Sequence, residues 1–342
     1  MWLMIKDWFR ELPAKIWQGV KNLFERLGDR LADVTGSTWK KVSVVLAILL
    51  LLYYPIGMAL QNNIDDDLGF GSFVVAPAHE AATESKTIAV MAGLIDREVN
   101  NHGWVMNDPF FKPGWMLDNM PNYQQGMFAA MARVAIEFRD QVGRTRGSSS
   151  TDADLEEAAG LLPYPGDVWI FNFSTSLLPT ASAERQYLSA RQALLKYNER
   201  LVRGEAVFER RGDNLLATLD RIALDVGASS AAIDNHIREH ATDFIDFQSD
   251  DLFYNVKGQT YGYLMILEAL GEDYEALLQS RELSGIYAQM LESFGELAAL
   301  DPMVVTNNEL DDQFLPNHLA AQGFYLLRAR TQLREITNIL LK

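Results

Sequence analysis

The chain reads as mainly α-helical: a single transmembrane helix followed by a large, bundle-like extracytoplasmic helical domain. Three observations predict this. Nineteen residues, 42–60, carry no charge and are rich in Leu, Val and Ile. Beyond them, apolar residues recur at spacings of three and four in one segment after another. Only "YPGDVWIFNFSTSLLP" (164–179) has strand character, and it reads equally as extended chain.

The apolar stretch is the first element to justify. At 1.5 Å per residue a nineteen-residue helix is roughly 29 Å long, the thickness of a bilayer's hydrocarbon core. Trp39 and the pair Tyr53 and Tyr54 sit where interfacial aromatic anchors belong, and Pro55 falls in the last turns, where membrane helices tolerate it. Lys40 and Lys41 precede the span and Asp65, Asp66 and Asp67 follow it. Residues 1–41 hold eight Lys/Arg against five Asp/Glu, a net +3, so the remainder of the −16 chain carries −19. The positive-inside rule then puts the N-terminus in the cytoplasm and the C-terminal bulk across the membrane. A cleaved signal peptide ending near "GMA" (57–59) would need a shorter basic region and a shorter apolar core, so an uncleaved signal anchor is expected.

Residues 1–41 place Ile5, Trp8, Phe9, Leu12, Ile16 and Val20 at helical spacing between Lys and Arg. That pattern predicts a cytoplasmic amphipathic helix that lies on lipid, or docks on a partner or a second copy of the chain. After a linker at 61–78, residues 79–342 are expected to form the helical domain. Helices are predicted across 79–101, 121–142, 181–204, 205–226 and 229–247, then over "DDLFYNVKGQTYGYLMILEALG", "ELSGIYAQMLESFGELAAL" and the C-terminal "PNHLAAQGFYLLRARTQLREITNILLK". Residues 143–153 are the candidate for a flexible loop, with Asp152 able to cap the next helix. The stretch at 102–120 is dense in Trp, Phe, Gly and Pro and reads as an ordered loop that buries its aromatics; an exposed binding loop is the alternative. Glycines in "QQGMF", "QTYGY" and "QGFYL" cost helix propensity, which predicts close helix–helix contact.

Composition excludes several classes of function. A net charge of −16 argues against a nucleic-acid partner. Absence of cysteine removes disulfides, thiolate catalysis and Cys-ligated metal sites. No Gly-rich phosphate loop, nucleophile elbow or EF-hand spacing is present.

The anchor together with "GWMLDNMPNYQQGM", "PYPGDVWIFNF", "DDLFYNVKGQTYGYLMILEAL" and "NHLAAQGFYLLRARTQLREI" resembles an uncharacterised proteobacterial family, Domain of Unknown Function 2333, over roughly residues 40–342. The resemblance implies a protein of the bacterial inner membrane with a periplasmic domain. It implies no activity, substrate or catalytic residue.

One motif points to chemistry. "DNHIREHATDF" (234–244) contains His-x-x-Glu-His, the pattern of one class of zinc peptidases. On a helical wheel Ile233, Ile237 and Phe244 share a face, His236, His240 and Asp243 flank it, and Glu239 lies further round. An i, i+4 histidine pair can hold zinc, with Glu239 as general base and Glu309 as a downstream ligand. The same residues also fit surface ion pairs, His236–Glu239 and His240–Asp243, a structural or regulatory metal, or a pH-responsive cluster. Strand-poor sequence disfavours the peptidase reading. The expected function is therefore non-enzymatic: a membrane-anchored scaffold or interaction protein in envelope maintenance or assembly. Its expected partners are lipid and other envelope proteins or itself, and no cofactor is expected. A zinc-dependent envelope hydrolase, and a ligand-sensing domain built around 102–120, are the competing readings.

Overall fold

The computed structural model describes residues 22, 38–71, 84–145, 151–171, 178–240, 246, 248–308 and 316–342. Among them the fold is helical, with ten α-helices and no strand. Helix α1 (Thr38–Gln61) contains the apolar stretch. Its segment Val42–Gln61 has a mean hydropathy of 2.3 and holds no fully buried residue. It is long and apolar enough to cross a bilayer.

Helix α2 (Lys86–Asp96) opens with Ser85 as N-cap and passes into a π-helical turn, Arg97–Asn101. A 3₁₀ turn (Pro113–Met116) precedes α3 (Asn119–Thr145). Then follow α4 (Ala153–Leu161), α5 (Ala183–Val202), α6 (Gly212–His240) and α7 (Gln248–Asp273). The chain closes with α8 (Glu275–Ser280), α9 (Ser284–Ala298) and α10 (His318–Leu340).

Helix α7 is the hub. It buries residues around nearly its whole circumference, among them Phe253, Tyr261, Tyr263, Met265 and Leu267, and its longest contact is with α3. Helices α2, α6, α9 and α10 also pack on α7, while α4 packs on α3 and α5, and α5 on α2. The α3–α7 contact brings backbone against backbone. A Cβ on Gly126 would fall 1.9 Å from the Asn255 carbonyl oxygen, and one on Gly258 would fall 1.9 Å from that of Tyr123. The predicted close contact is present at Gly126 and, less tightly, at Gly262, where a Cβ would fall 3.2 Å from the Met127 carbonyl oxygen; Gly258, which sequence reasoning did not single out, makes the crossing reciprocal. At Gly323 it is only ordinary van der Waals distance, 3.6 Å from Ile233.

The ends of the bundle are tied by side chains. The Asp273 carboxylate, at the C-terminus of α7, accepts from the backbone N–H groups of Lys86 and Thr87 and from the Ser85 and Thr87 hydroxyls at 2.8–3.1 Å. A tertiary carboxylate thus satisfies the free donors and positive dipole end of α2.

Several sequence expectations need correction. The segments 205–226 and 229–247 are not two helices: α6 runs unbroken to His240, and Gly227 within it receives the Arg330 guanidinium of α10 rather than ending the helix. Residues 164–171 and 178–179 form no strand. Their carbonyls are satisfied by side chains, Gly166 by the Trp104 indole at 2.8 Å and Val168 by Asn107 at 2.9 Å, while Thr180 N–H bonds Ile170. The loop expected at 143–153 is shorter, because α3 extends to Thr145 and Asp152 caps α4; residues 146–150 lie outside the described residues. The aromatic loop divides: Trp104 is buried against Phe128 and Tyr187, whereas Phe110, Phe111 and Trp115 are exposed.

The α3–α7 crossing is directly testable. Gly126→Ala is expected to destabilise by about 3 kcal/mol, because overpacking against a backbone carbonyl outweighs the roughly 1 kcal/mol gained in helix propensity. Gly295→Ala in α9, where an added Cβ meets nothing within 4 Å, is expected to stabilise by about 0.5–1 kcal/mol. Denaturant melts of the two variants check both signs.

Candidate functional site at the end of helix α1

The acidic run that follows α1 does not hang free. The chain turns through it using its own carboxylates: Asp65 accepts from Asp67 N–H at 3.1 Å and Asp67 from Gly69 N–H at 2.9 Å, an Asx-turn pattern. The helical domain then grips it. The Lys257 ammonium, 1% exposed on α7, lies 2.7 Å from Asp66. The Tyr123 hydroxyl donates to the Asp65 carbonyl and the Tyr261 hydroxyl to the Asp67 carbonyl, both at 2.8 Å.

Arg97 completes the grip. It stands at the start of the π-helical turn, where the wider winding closes with His102 N–H bonded to the Arg97 carbonyl. Its guanidinium donates to Tyr261 at 2.7 Å and to Glu98 at 2.8 Å, lies 3.6 Å from Asp65, and stacks over the Phe70 ring at 4.6 Å. His102 approaches Asp65 and Glu98 at 3.6 and 3.5 Å. Gln124 bonds Glu98 at 3.1 Å and the Gly103 carbonyl at 2.9 Å.

The electrostatics are those of a buried network of paired charges. Burial alone would raise the Glu98 carboxyl, but His102, Arg97 and Gln124 outweigh it and hold it below the usual range. Burial likewise opposes charge on Arg97, yet Glu98, the two tyrosines and Asp65 raise it further. Chemically the arrangement is a clamp: fully paired charges that fix the chain leaving α1 to the core.

The second cluster centres on His236. Its Nε2 lies 2.8 Å from Asp246 and 3.1 Å from Ser249, and Ser249 donates to the same carboxylate. In a nucleophilic triad carboxylate and hydroxyl engage opposite ring nitrogens; here both meet one. Asp246 also accepts from the N–H groups of Gln248 and Ser249, which caps α7, and from Asn307. Asn307 in turn accepts from Asn317, the N-cap of α10. The cluster therefore joins the end of α6 to the starts of α7 and α10. Burial would raise Asp246, but hydrogen bonds from Ser249, His236 and Asn307 lower it to about 2.

The residues singled out in the sequence are only partly brought together. His240 stacks on His236, 4.4 Å between ring centres, and Glu239 is exposed. The partner of His236 is thus Asp246 rather than Glu239. Asp243 and Glu309 lie outside the described residues, among which no three His, Asp or Glu side chains are grouped to hold a metal ion. Trp39, Lys40 and Lys41 fall in the first turn of α1. Tyr53 is exposed, while the Tyr54 hydroxyl donates to the Phe110 carbonyl. Sequence reasoning missed Arg97, Glu98 and Lys257. The available signal was a charge on an apolar face: Lys257 stands three residues after Tyr254 and four before Tyr261.

With an exposed apolar helix clamped to an all-helical body, the chain is of the single-apolar-helix, helical-domain class. It belongs to the uncharacterised family conserved in bacteria, DUF2333, whose match covers residues 34–245, more than half of the chain. The match includes α1, the clamp's Asp65–Asp67, Arg97, Glu98 and Tyr123, and ends before α7, which supplies Lys257 and Tyr261. No curated protein and no solved structure matches.

Two predictions arise from these clusters. Asp66→Ala is expected to destabilise the full chain by about 3 kcal/mol by stranding a buried ammonium, whereas Lys257→Met leaves a carboxylate that water can reach and costs under about 1 kcal/mol. The double variant should regain most of the loss in denaturant melts. For Asp246, the folded carboxyl titrates below its unfolded value of about 4. Its stabilising contribution is therefore complete above about pH 4 and lost as pH falls towards 2. Asp246→Asn should flatten the acid limb of a stability–pH profile over that window.

Proposed function

We propose that this protein is a single-pass inner-membrane protein, N-terminus in the cytoplasm, whose periplasmic helical domain is a non-catalytic scaffold in envelope maintenance or assembly. The observation that carries the reading is the clamp. Asp65, Asp66 and Asp67 follow α1 at once and are held by Lys257, Arg97, Tyr123 and Tyr261. A domain attached this way keeps one orientation to the bilayer. Fixed orientation suits a platform that presents a surface to neighbouring envelope proteins, and a substrate-gathering domain has no need of it.

Charge supports the topology. Lys40 and Lys41 lie directly before the span and residues 61–85 after it hold no Lys or Arg, the sense that the positive-inside rule requires. The amphipathic pattern of 1–41 adds a second attachment to lipid, to a partner or to another copy. The chemistry of the His236 cluster fits the same reading, because its imidazole and carboxylate are spent on joining three helix ends.

The absence of native cysteine makes the test clean. In intact spheroplasts a membrane-impermeant maleimide is expected to label Val207→Cys and to spare Asn22→Cys. Crosslinking of the full chain in cells should then recover the same envelope protein, or a second copy, from independent label positions on the domain. Reversed labelling would overturn the topology, and recovery of neither partner nor copy would overturn the scaffold.

A further inference from the structure

The loop at 109–116 is held against α1 by one stripe of that helix. The Tyr54 hydroxyl donates to the Phe110 carbonyl. A Cβ on Gly57 would fall 2.2 Å from Cγ of Pro113, so the proline ring occupies the space a larger side chain would need. Gln61 reaches the loop as well, its Oε1 3.0 Å from where a Cβ on Gly114 would stand. Residues 54, 57 and 61 lie within about 60° of one another on a helix. The loop is thus seated along the last two turns of the apolar helix.

Depth follows from that seat. Tyr54 precedes Gln61 by seven residues, about 10 Å of helix rise. Side chains on a helix lean towards its N-terminus, so the Tyr54 hydroxyl and the Phe110 carbonyl lie no nearer the helix end than this. A loop at that level stands beside the span's own outer turns, where an apolar helix crosses from headgroups into acyl chains.

The loop's outward side chains are those such a position favours. Phe110 is 69% exposed, Trp115 59% and Met116 55%, with Phe111 half exposed beside them. Phe111 stacks edge-on with Trp169 at 5.9 Å, and Trp169 with Phe171 at 5.5 Å, which joins a second loop bearing exposed Ile170 to the same patch. Lys112, at the centre, keeps its ammonium on Asp108 at 2.7 Å. Contiguous exposed aromatics of this kind mark a surface with a partner, and Trp-bearing aromatic patches suit the headgroup region.

We infer that Phe110, Phe111, Trp115 and Met116, extended by Trp169 and Ile170, form a second membrane contact that enters the headgroup region of the leaflet where α1 emerges. The occupant is the lipid surface itself, because the patch is continuous with the lipid-facing helix that carries it. With the clamp at Asp65–Asp67, this contact gives the domain two fixed points on the bilayer and so sets its tilt as well as its attachment. The inference rests on the proposed anchoring of α1.

The experiment uses the full-length chain reconstituted in phosphatidylethanolamine–phosphatidylglycerol vesicles, with single cysteines carrying an environment-sensitive fluorophore. Labels at Phe111→Cys and Met116→Cys are expected to be blue-shifted and to lose fluorescence to nitroxides placed at the top of the acyl chains. Leu51→Cys, 75% exposed in the middle of α1, reports the span itself through nitroxides placed near the bilayer centre, and Val207→Cys, exposed near the far end of α3, reports solvent. Quenching at 51, 111 and 116 but not at 207 supports the inference. Quenching at 51 alone overturns it while leaving the anchor in place, and would return the patch to a protein partner. Loss of quenching at 51 as well overturns the anchor and the inference together.

Discussion

The direct backbone contact between α3 and α7 governs the architecture. Helices that meet through Gly126 and Gly258 stand closer than side chains would ordinarily allow, and α4 and α6, which also pack on α3, are built around that pair. The contact also builds the clamp. Tyr123 supplies the carbonyl that faces Gly258 and the hydroxyl that holds Asp65; Lys257 immediately precedes Gly258 on α7, and Tyr261 lies one turn on. Were the helices a side chain further apart, these three groups could not converge on one short acidic segment.

Charge burial is the second organising element. Lys257, Arg97 and Glu98 are withdrawn from water at a cost that only complete pairing offsets. Such pairs contribute little net stability, and their value lies in specifying one geometry. Here the geometry specified is the direction in which the chain leaves α1. The same principle operates at the opposite helix ends, where Asp273 receives the start of α2 and Asp246 joins α6, α7 and α10. Polar groups therefore settle how helix ends meet, while glycine and apolar surface settle how helix sides meet.

The histidine motif shows how local pattern and tertiary use diverge. His-x-x-Glu-His at helical spacing has the ligand pattern of a zinc site, and the helix forms as the periodicity predicts. What spacing cannot convey is which groups arrive from elsewhere. Asp246 and Ser249 come from the start of the next helix and take His236 into a cap, leaving Glu239 in solvent.

By itself the sequence determined the helical class, the apolar helix with its flanking charge asymmetry, the cap at Asp152, and the family. These are properties of local composition and periodicity, which neighbours in the chain express without help. Only the tertiary structure decided that α6 is one helix, that "YPGDVWIF" is pinned by Trp104 and Asn107 instead of paired as a strand, and that Asp65–Asp67 is seized by Lys257 and Arg97. The reason is physical. Each outcome depends on a partner some thirty to two hundred residues away, and whether a glycine breaks a helix or a lysine is buried is fixed by what packs against it, which no local window contains.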